Sequence, residues 1–140
     1  MTLDNFHFLI GQTVMYFQVI EHDVKCMCAA MSEGDYYANL NKIKRDTLGQ
    51  SVLTLKELDL AGGRQYLSAT DYDYLKQITD RRNHWCHQTY QNFLYNPRFL
   101  QSKEYAEECR LLEHDNARLS KVFDALEDVK KRVLKDFGRV

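Results

Sequence analysis

A short run near the middle of the chain combines permanent cations, an amide and titratable imidazoles within seven positions. It reads Arg81-Arg82-Asn83-His84-Trp85-Cys86-His87. An imidazole can transfer a proton near neutral pH, and a guanidinium can hold a phosphate and the charge that develops on it. The run therefore predicts acid–base chemistry at a phosphate group, with Arg82 and His87 as the principal candidates.

The run lies in a segment patterned as a helix. The segment Thr70-Asp71-Tyr72-Asp73 predicts its start, because a cap residue is followed three positions later by an acid, and Asn96-Pro97 predicts its end after Tyr95. At about 100° per residue, Arg82 falls within the arc that faces the core, whereas Asn83 and His87 fall on the nearly opposite face. The other residues of the predicted core-facing arc are Tyr74, Leu75, Ile78, Trp85, Thr89 and Phe93.

An arginine on a core-facing arc needs an acid or a phosphate beside it. Glu21 interrupts the apolar stripe of the first predicted helix and is the candidate acid. We expect a direct or water-bridged hydrogen bond between Glu21 and Arg82. Two interpretations are open for this pair: it supports a catalytic site, or it only holds two helices together.

The run Arg82-Asn83-x-x-x-His87 resembles the R-N-x-x-x-H signature of the HEPN family, a group of small helical domains rich in ribonucleases. The resemblance implies a metal-independent endoribonuclease in which Arg82 binds the scissile phosphate and His87 acts as general acid or base. Asn83 would orient the imidazole or the phosphate, and Glu21 would be the supporting acid. The resemblance also implies a toxin–antitoxin or antiviral defence setting, with a neutralising or regulatory partner protein.

The family tends to assemble this site where two protomers meet, so the resemblance implies a homodimer. Spacing supports the same expectation, since Arg82 and His87 project about 140° apart on an ideal helix. One chain can unite them only through a kink or long side chains. A two-fold axis near Asn83 and His87 would bring two copies together, with Tyr90 and Leu94 buried beside them. One departure concerns Thr89, which stands where some HEPN toxins carry a modified tyrosine.

Other residues are candidates for RNA contact or for different chemistry. Arg81, Tyr90 and Arg98 are the candidate RNA-binding residues, and a wider phosphate-binding rim could include Lys42, Lys44, Arg45 and Arg64. A metal site could be drawn from His84, Cys86 and His87 with His22, Cys26 and Cys28, but these spacings do not match a metal-binding motif. We therefore expect neither a metal nor another cofactor. A Cys86 nucleophile beside His87 is disfavoured, because sequence neighbours on a helix do not face each other.

Composition predicts one all-α domain over residues 1–140. The chain is 44% hydrophobic and 28% charged and has only 6 Gly and 1 Pro, so it offers few breaks between long helices. Its net charge of −1 excludes a generally basic surface, and any RNA contact must come from a local patch. No secretory signal or membrane-length apolar stretch is visible, which predicts a cytoplasmic protein with four reduced cysteines.

Apolar periodicity predicts four helices in an up-and-down bundle. The first spans about Leu3 to Met31, the second about Tyr36 to Leu60, and the third carries the motif. The fourth repeats leucine or valine every seven residues, at Leu112, Leu119, Leu126 and Val133, with Val122, Val129 and Phe137 between them. The alternative function for such a bundle is a non-catalytic module that binds a nucleotide or a partner protein.

Overall fold

The computed structural model describes residues 1–139, which contain five α-helices and no strand. The all-α prediction is confirmed. The helices are α1 (Leu3–Met31), α2 (Tyr36–Ile43), α3 (Leu48–Ala61), α4 (Ala69–Asn83) and α5 (Lys103–Asp136). Short turns between α4 and α5 complete the chain: a π-helical turn (His84–Gln88) and two 3₁₀ turns (Thr89–Asn92 and Phe99–Gln101).

Helix α1 is the central element, because it packs against α2, α3, α5 and the π-turn. The Thr2 hydroxyl accepts a hydrogen bond from the Asn5 backbone and caps its start. Its C-terminal half is enclosed on all sides, since every residue from 23 to 30 is buried. The helix ends at Met31, as the sequence predicts. Gly34 then takes a φ of 95°, a conformation that suits glycine in the turn to α2.

The expected second helix is two helices, α2 and α3, so the count of four helices in the bundle is not confirmed. Thr47 caps the start of α3, and its hydroxyl accepts from the Gln50 N–H while the Gln50 side chain accepts from the Thr47 N–H. This reciprocal capping satisfies backbone donors that a continuous helix would bond internally, and it stabilises a new start. A side-chain carbon on Gly49 would lie 3.3 Å from Thr79, so the glycine allows α3 to approach α4 closely.

Helix α4 differs from its prediction at both ends. It begins after Ser68, whose hydroxyl and the Asp71 carboxylate form the capping box that we expected two residues later at Thr70. Its regular α geometry stops at Asn83 instead of continuing to Tyr95. In the following π-turn the Thr89 N–H donates to the His84 carbonyl five residues earlier, which widens the helix by one residue.

Helix α5 confirms the seven-residue repeat. All four repeat positions are buried, as are Val122 and Val129. Phe137 does not join this seam, because the helix ends at Asp136 and the ring is 44% exposed. Asn116, the polar interruption, donates to the side-chain oxygens of Gln12 and Thr13 at 3.0 Å each and so joins α5 to α1.

An aromatic cluster fixes the chain after the π-turn against the start of α1. The Phe6 ring meets the rings of Tyr90, Phe93 and Tyr105 at centroid distances of 5.4–5.6 Å. Phe99 packs on Phe93 from the other side. Edge and tilted contacts of this kind add specificity to the apolar burial. Across residues 1–139, no helix combines the length and the apolar character needed to cross a membrane.

Candidate functional site

The seven-residue run divides into side chains that bind α5 and side chains that face outwards. Arg81, His84 and Trp85 contact acidic residues of α5. Asn83 and His87 are exposed, as predicted for their face, and Arg82 is half-buried. The residues of the HEPN-like signature are therefore the members of the run that α5 does not hold.

Asp115 of α5 anchors the start of the run. Its Oδ2 accepts hydrogen bonds from Arg81 Nε and Trp85 Nε1, both at 2.7 Å, and the Arg81 guanidinium lies 5.4 Å from the Trp85 ring centre. Burial alone would raise the pKa of Asp115, but the hydrogen bonds from Arg81 and Trp85 outweigh it and the pKa lies below its ordinary value. Arg81, expected among the RNA-binding residues, is thus engaged in an internal ion pair.

Glu108, which lies on α5 seven residues before Asp115, anchors the π-turn. One oxygen accepts from Thr89 Oγ1 at 2.7 Å and lies 2.8 Å from His84 Nε2, and the other accepts from Asn92 Nδ2 at 2.9 Å. Glu108 is only 5% exposed. A buried carboxylate with three partners is satisfied, and it fixes the rotation of the π-turn about its axis. His84 therefore holds the fold together, although its residue type fits catalysis as well as His87 does.

The π-turn changes how Arg82 and His87 project from the helix. On an α-helix, residues five apart point in divergent directions, at about 140°. A π-helix closes its hydrogen bonds from residue i to i+5, so residues five apart move towards the same side. The widened turn begins two residues after Arg82 and contains His87. The backbone thus departs from α geometry between these two side chains, which reduces their divergence from the angle on an ideal helix.

Arg82 has no carboxylate within 4.0 Å in the part of the chain that the structure describes. The expected direct hydrogen bond from Arg82 to Glu21 is not formed. Glu21 instead pairs with Lys25 one turn along α1, at 3.6 Å. An i, i+4 partner on the same helix is close by geometry and competes for the carboxylate.

The charges of Arg82 and Glu21 both influence the thiol of Cys86. Burial raises the pKa of Cys86, the positive charge of Arg82 lowers it, and the negative charge of Glu21 raises it. The net rise keeps this half-buried thiol protonated and disfavours it as a nucleophile. Arg82 is thus a half-buried cation near an acid but without an ion-pair partner among residues 1–139, which leaves its guanidinium available to an anion.

The remaining candidates lie in different settings. Tyr90, expected to contact RNA and to help form a dimer interface, packs in the aromatic cluster, and its hydroxyl is 2.6 Å from His7 Nδ1. Arg98 is exposed and precedes the second 3₁₀ turn. His87 is exposed, and its ring makes no hydrogen bond to the described residues.

The cysteine and histidine residues considered for a metal are dispersed. Cys26 Sγ lies 3.4 Å from His22 Nε2, whereas the Cys28 thiol donates to the Ser51 carbonyl. Over residues 1–139, no group of three or more His, Cys, Asp and Glu side chains is arranged to hold a metal ion.

Glu108 and Asp115 were not predicted, although the sequence carries a signal for them. The buried residues of α5 recur every three or four positions, and Glu108 and Asp115 occupy two places in that series. An acid inside an apolar repeat predicts a buried partner on another helix. Identifying Arg81, His84 and Trp85 as those partners requires the register between α4 and α5, which one sequence does not give.

Comparison with known proteins adds no relative to this description: no family model, no curated protein and no solved structure matches the chain significantly.

Proposed function

We propose that this protein is a metal-independent endoribonuclease of the HEPN type, acting as a homodimer. The observation that carries the proposal is the π-turn directly after Arg82. Compared with a continuous α-helix, a π-turn brings His87 closer to the side of Arg82, a cation without an ion-pair partner among residues 1–139, while the run's other cation and its other imidazole are bound by α5. Widened turns of this kind occur often at functional sites.

The chemistry is an internal transfer at one phosphate of RNA. His87 accepts the proton of the ribose 2′-hydroxyl, and the 2′-oxygen attacks the adjacent phosphorus. The bond from phosphorus to the 5′-oxygen breaks, and that oxygen takes up a proton, leaving a 2′,3′-cyclic phosphate and a 5′-hydroxyl. Arg82 binds the non-bridging oxygens and stabilises the additional charge of the transition state.

Asn83 and Glu21 have supporting roles in this proposal. The exposed Asn83 amide lies beside Arg82 in sequence and can donate to the phosphate or to the imidazole. Glu21 balances the positive charge around Arg82 at a distance. In the homodimer, the motifs of the two chains would face one groove and so double the local positive charge. A toxin–antitoxin or antiviral setting, with a protein that neutralises the enzyme, would fit such an activity.

The decisive experiment incubates pure protein with total RNA in EDTA and follows cleavage products by gel and by end-group analysis. Wild type should cut and leave cyclic phosphate ends. Arg82→Ala and His87→Ala should each lower the rate by at least about 100-fold, in the range of losing an acid–base or charge-stabilising group. Circular dichroism should remain unchanged for both, since neither side chain has a structural partner.

The matched control is His84→Ala, three residues before His87 in the same turn. Because His84 bonds to buried Glu108, this change should lower the melting temperature while cleavage below that temperature continues. If His84→Ala abolished cleavage in a folded protein and His87→Ala did not, the catalytic assignment would be wrong. Loss of wild-type activity in EDTA, with rescue by one added metal, would replace the mechanism.

A second candidate function is non-catalytic binding of a partner protein, and one observation favours it. A groove of about 580 Å³ runs between the start of α4 and the middle of α5, away from the motif. Its floor is apolar, with Leu75, Val122, Leu126 and Val129, and Lys121 and Arg132 lie at its rim. Apolar grooves with charged rims bind amphipathic helices. Partner binding that survives loss of Arg82 and His87 would favour this candidate.

A further inference from the structure

A second groove, of about 410 Å³, lies between α1 and α2. Polar side chains form most of its wall, and they include both hydrogen-bond donors and acceptors. On the α1 side it is lined by Gln18, Glu21, His22 and Lys25, and on the α2 side by Tyr37, Leu40, Asn41 and Lys44. The amides of Gln18 and Asn41 line the same groove. Because each amide can donate and accept hydrogen bonds, the pair can bind the edge of a planar polar ring.

The Tyr37 ring provides an apolar surface at this groove. It is 75% exposed, one of the largest exposed fractions among the aromatic residues of the chain. The neighbouring Tyr36 ring contacts it edge-on at a centroid distance of 5.1 Å, which holds Tyr37 in place while leaving it open to solvent. An exposed but supported aromatic ring is a stacking surface for a base.

The end of α2 opposite Tyr37 carries cations without ion-pair partners. Lys42, Lys44 and Arg45 are exposed, and none has a carboxylate within 4.0 Å in residues 1–139. Of these three, Lys44 lines the groove. Lys25 also lines it but is already engaged, because its ammonium group donates to the Lys44 carbonyl and pairs with Glu21. Lys44 is therefore the groove cation that remains free to attract a phosphate.

Glu21 places this groove next to the motif. It lines the groove on α1, and α1 also packs against the π-turn that follows Arg82. The groove and the motif are therefore both next to α1. A ligand with a phosphate at Arg82 can extend its chain into the groove.

From this arrangement we infer that the groove between α1 and α2 binds an unpaired nucleotide adjacent to the phosphate that is cut. This inference rests on the proposed ribonuclease function. The base stacks on Tyr37 with its edge towards Asn41 and Gln18, and the next phosphate lies near Lys44. A base pair hides this edge of the base, so the groove selects single-stranded RNA over a duplex.

Binding can be measured apart from cleavage by using the His87→Ala protein and fluorescence anisotropy. The probes are a labelled single-stranded 12-nucleotide uridine RNA and the same strand paired with an adenosine RNA. Tyr37→Ala and Lys44→Glu, each added to His87→Ala, should raise the Kd for the single strand at least about fivefold, as expected for losing one stacking or one phosphate contact. Tyr95→Ala and Lys103→Glu, which change an equally exposed ring and an exposed lysine elsewhere, should alter it less than about twofold.

The possible outcomes separate the groove from the chemistry. If wild type cuts RNA while Tyr37→Ala and Lys44→Glu bind and cut like the controls, the groove inference is overturned and the ribonuclease proposal stands. Selective weakening by both groove variants without any wild-type cleavage would support the nucleotide site and reject the catalytic proposal. Equal affinity for single strand and duplex, or no RNA binding at all, would overturn the inference.

Discussion

At the scale of single residues, chemistry and stability are assigned to different members of one short run. Arg81 and Arg82 are adjacent and both half-buried, yet only Arg81 has a carboxylate partner, Asp115. His84 and His87 are three residues apart, and only His84 bonds to a buried carboxylate, Glu108. Residue type alone does not separate the members of each pair. A carboxylate partner does, because a group that is already bonded is less available to a substrate.

Another buried carboxylate, Asp23, makes stability depend on pH. Asp23 of α1 is 1% exposed, and its Oδ1 accepts from Lys130 Nζ at 2.9 Å, while Glu127 binds the same ammonium group at 3.1 Å. Burial, helped by the nearby Glu127 carboxylate, raises the pKa of Asp23 from 3.8 to about 6, although Lys130 opposes the rise. The folded protein thus holds a proton here more tightly than the unfolded chain does.

We therefore expect the Asp23 contribution to stability to be complete below about pH 4 and lost as pH rises through 6. Asp23→Asn keeps a neutral hydrogen-bonding side chain at every pH. The difference in free energy of unfolding in urea, Asp23→Asn minus wild type, should increase by about 1–3 kcal/mol from pH 4 to pH 8. Asp124→Asn, on the exposed face of α5, is the control. Parallel curves for wild type and Asp23→Asn would contradict the expectation.

At the scale of elements, the sequence predicts the long helices well and the irregular turn poorly. Apolar spacing located α1 to the residue and the seam of α5 almost entirely, because each presents a regular stripe to the core. The predicted start of α4 was displaced by two residues, since Ser68 with Asp71 and Thr70 with Asp73 offer similar caps. The π-turn could not be predicted from the local sequence, because its extra residue is held by Glu108, which lies on another helix.

The π-turn itself can be tested by shortening it. Gln88 is exposed and ends the turn, so deleting it should convert the turn to α geometry while Thr89 and the residues after it keep their positions. His87 would again diverge from Arg82, and cleavage of RNA should fall at least about tenfold, because misplacing a catalytic group by a few ångströms is costly. Gln88→Ala retains the length of the turn and should cleave normally.

Circular dichroism and thermal unfolding would establish that the shortened protein is folded. A folded protein that lacks Gln88 and cleaves at the wild-type rate would mean that the widened turn is not needed. If the deletion protein does not fold, the test would use a second variant, in which alanine is inserted after Thr89 of the deletion protein. This insertion restores the length of the segment without restoring the π-turn at its original place.

At the scale of the whole molecule, the homodimer proposal depends on the outward face of the motif. The sequence predicts that Leu94 shares this face with Asn83 and His87, and the structure leaves Leu94 48% exposed. Tyr90 contributes less than expected, because it is held by Phe6 and His7. Leu94 is therefore the principal apolar side chain that a second copy can cover near the motif.

We expect Leu94→Glu to weaken the dimer and suppress cleavage together, since burying a charge at a symmetric contact places two like charges close to each other. Sedimentation at several concentrations and the cleavage assay would be run on the same samples. Leu60→Glu, which changes an equally exposed leucine on α3, should affect neither. A monomeric Leu94→Glu protein with full activity would reject a site shared between two chains.

The bond from Asn116 to Gln12 and Thr13 also bears on how the chain reaches its native state. These partners are more than 100 positions apart in the sequence. One face of α1 is therefore covered only when α5 packs against it. Closing so long a loop is entropically slow, whereas α2 and α3 can pack on α1 at once. During synthesis, the α5 side of α1, which includes Phe17, therefore stays uncovered until the last helix has been made. In hydrogen exchange during refolding, amides at the α1–α5 contact should gain protection after those that face α3.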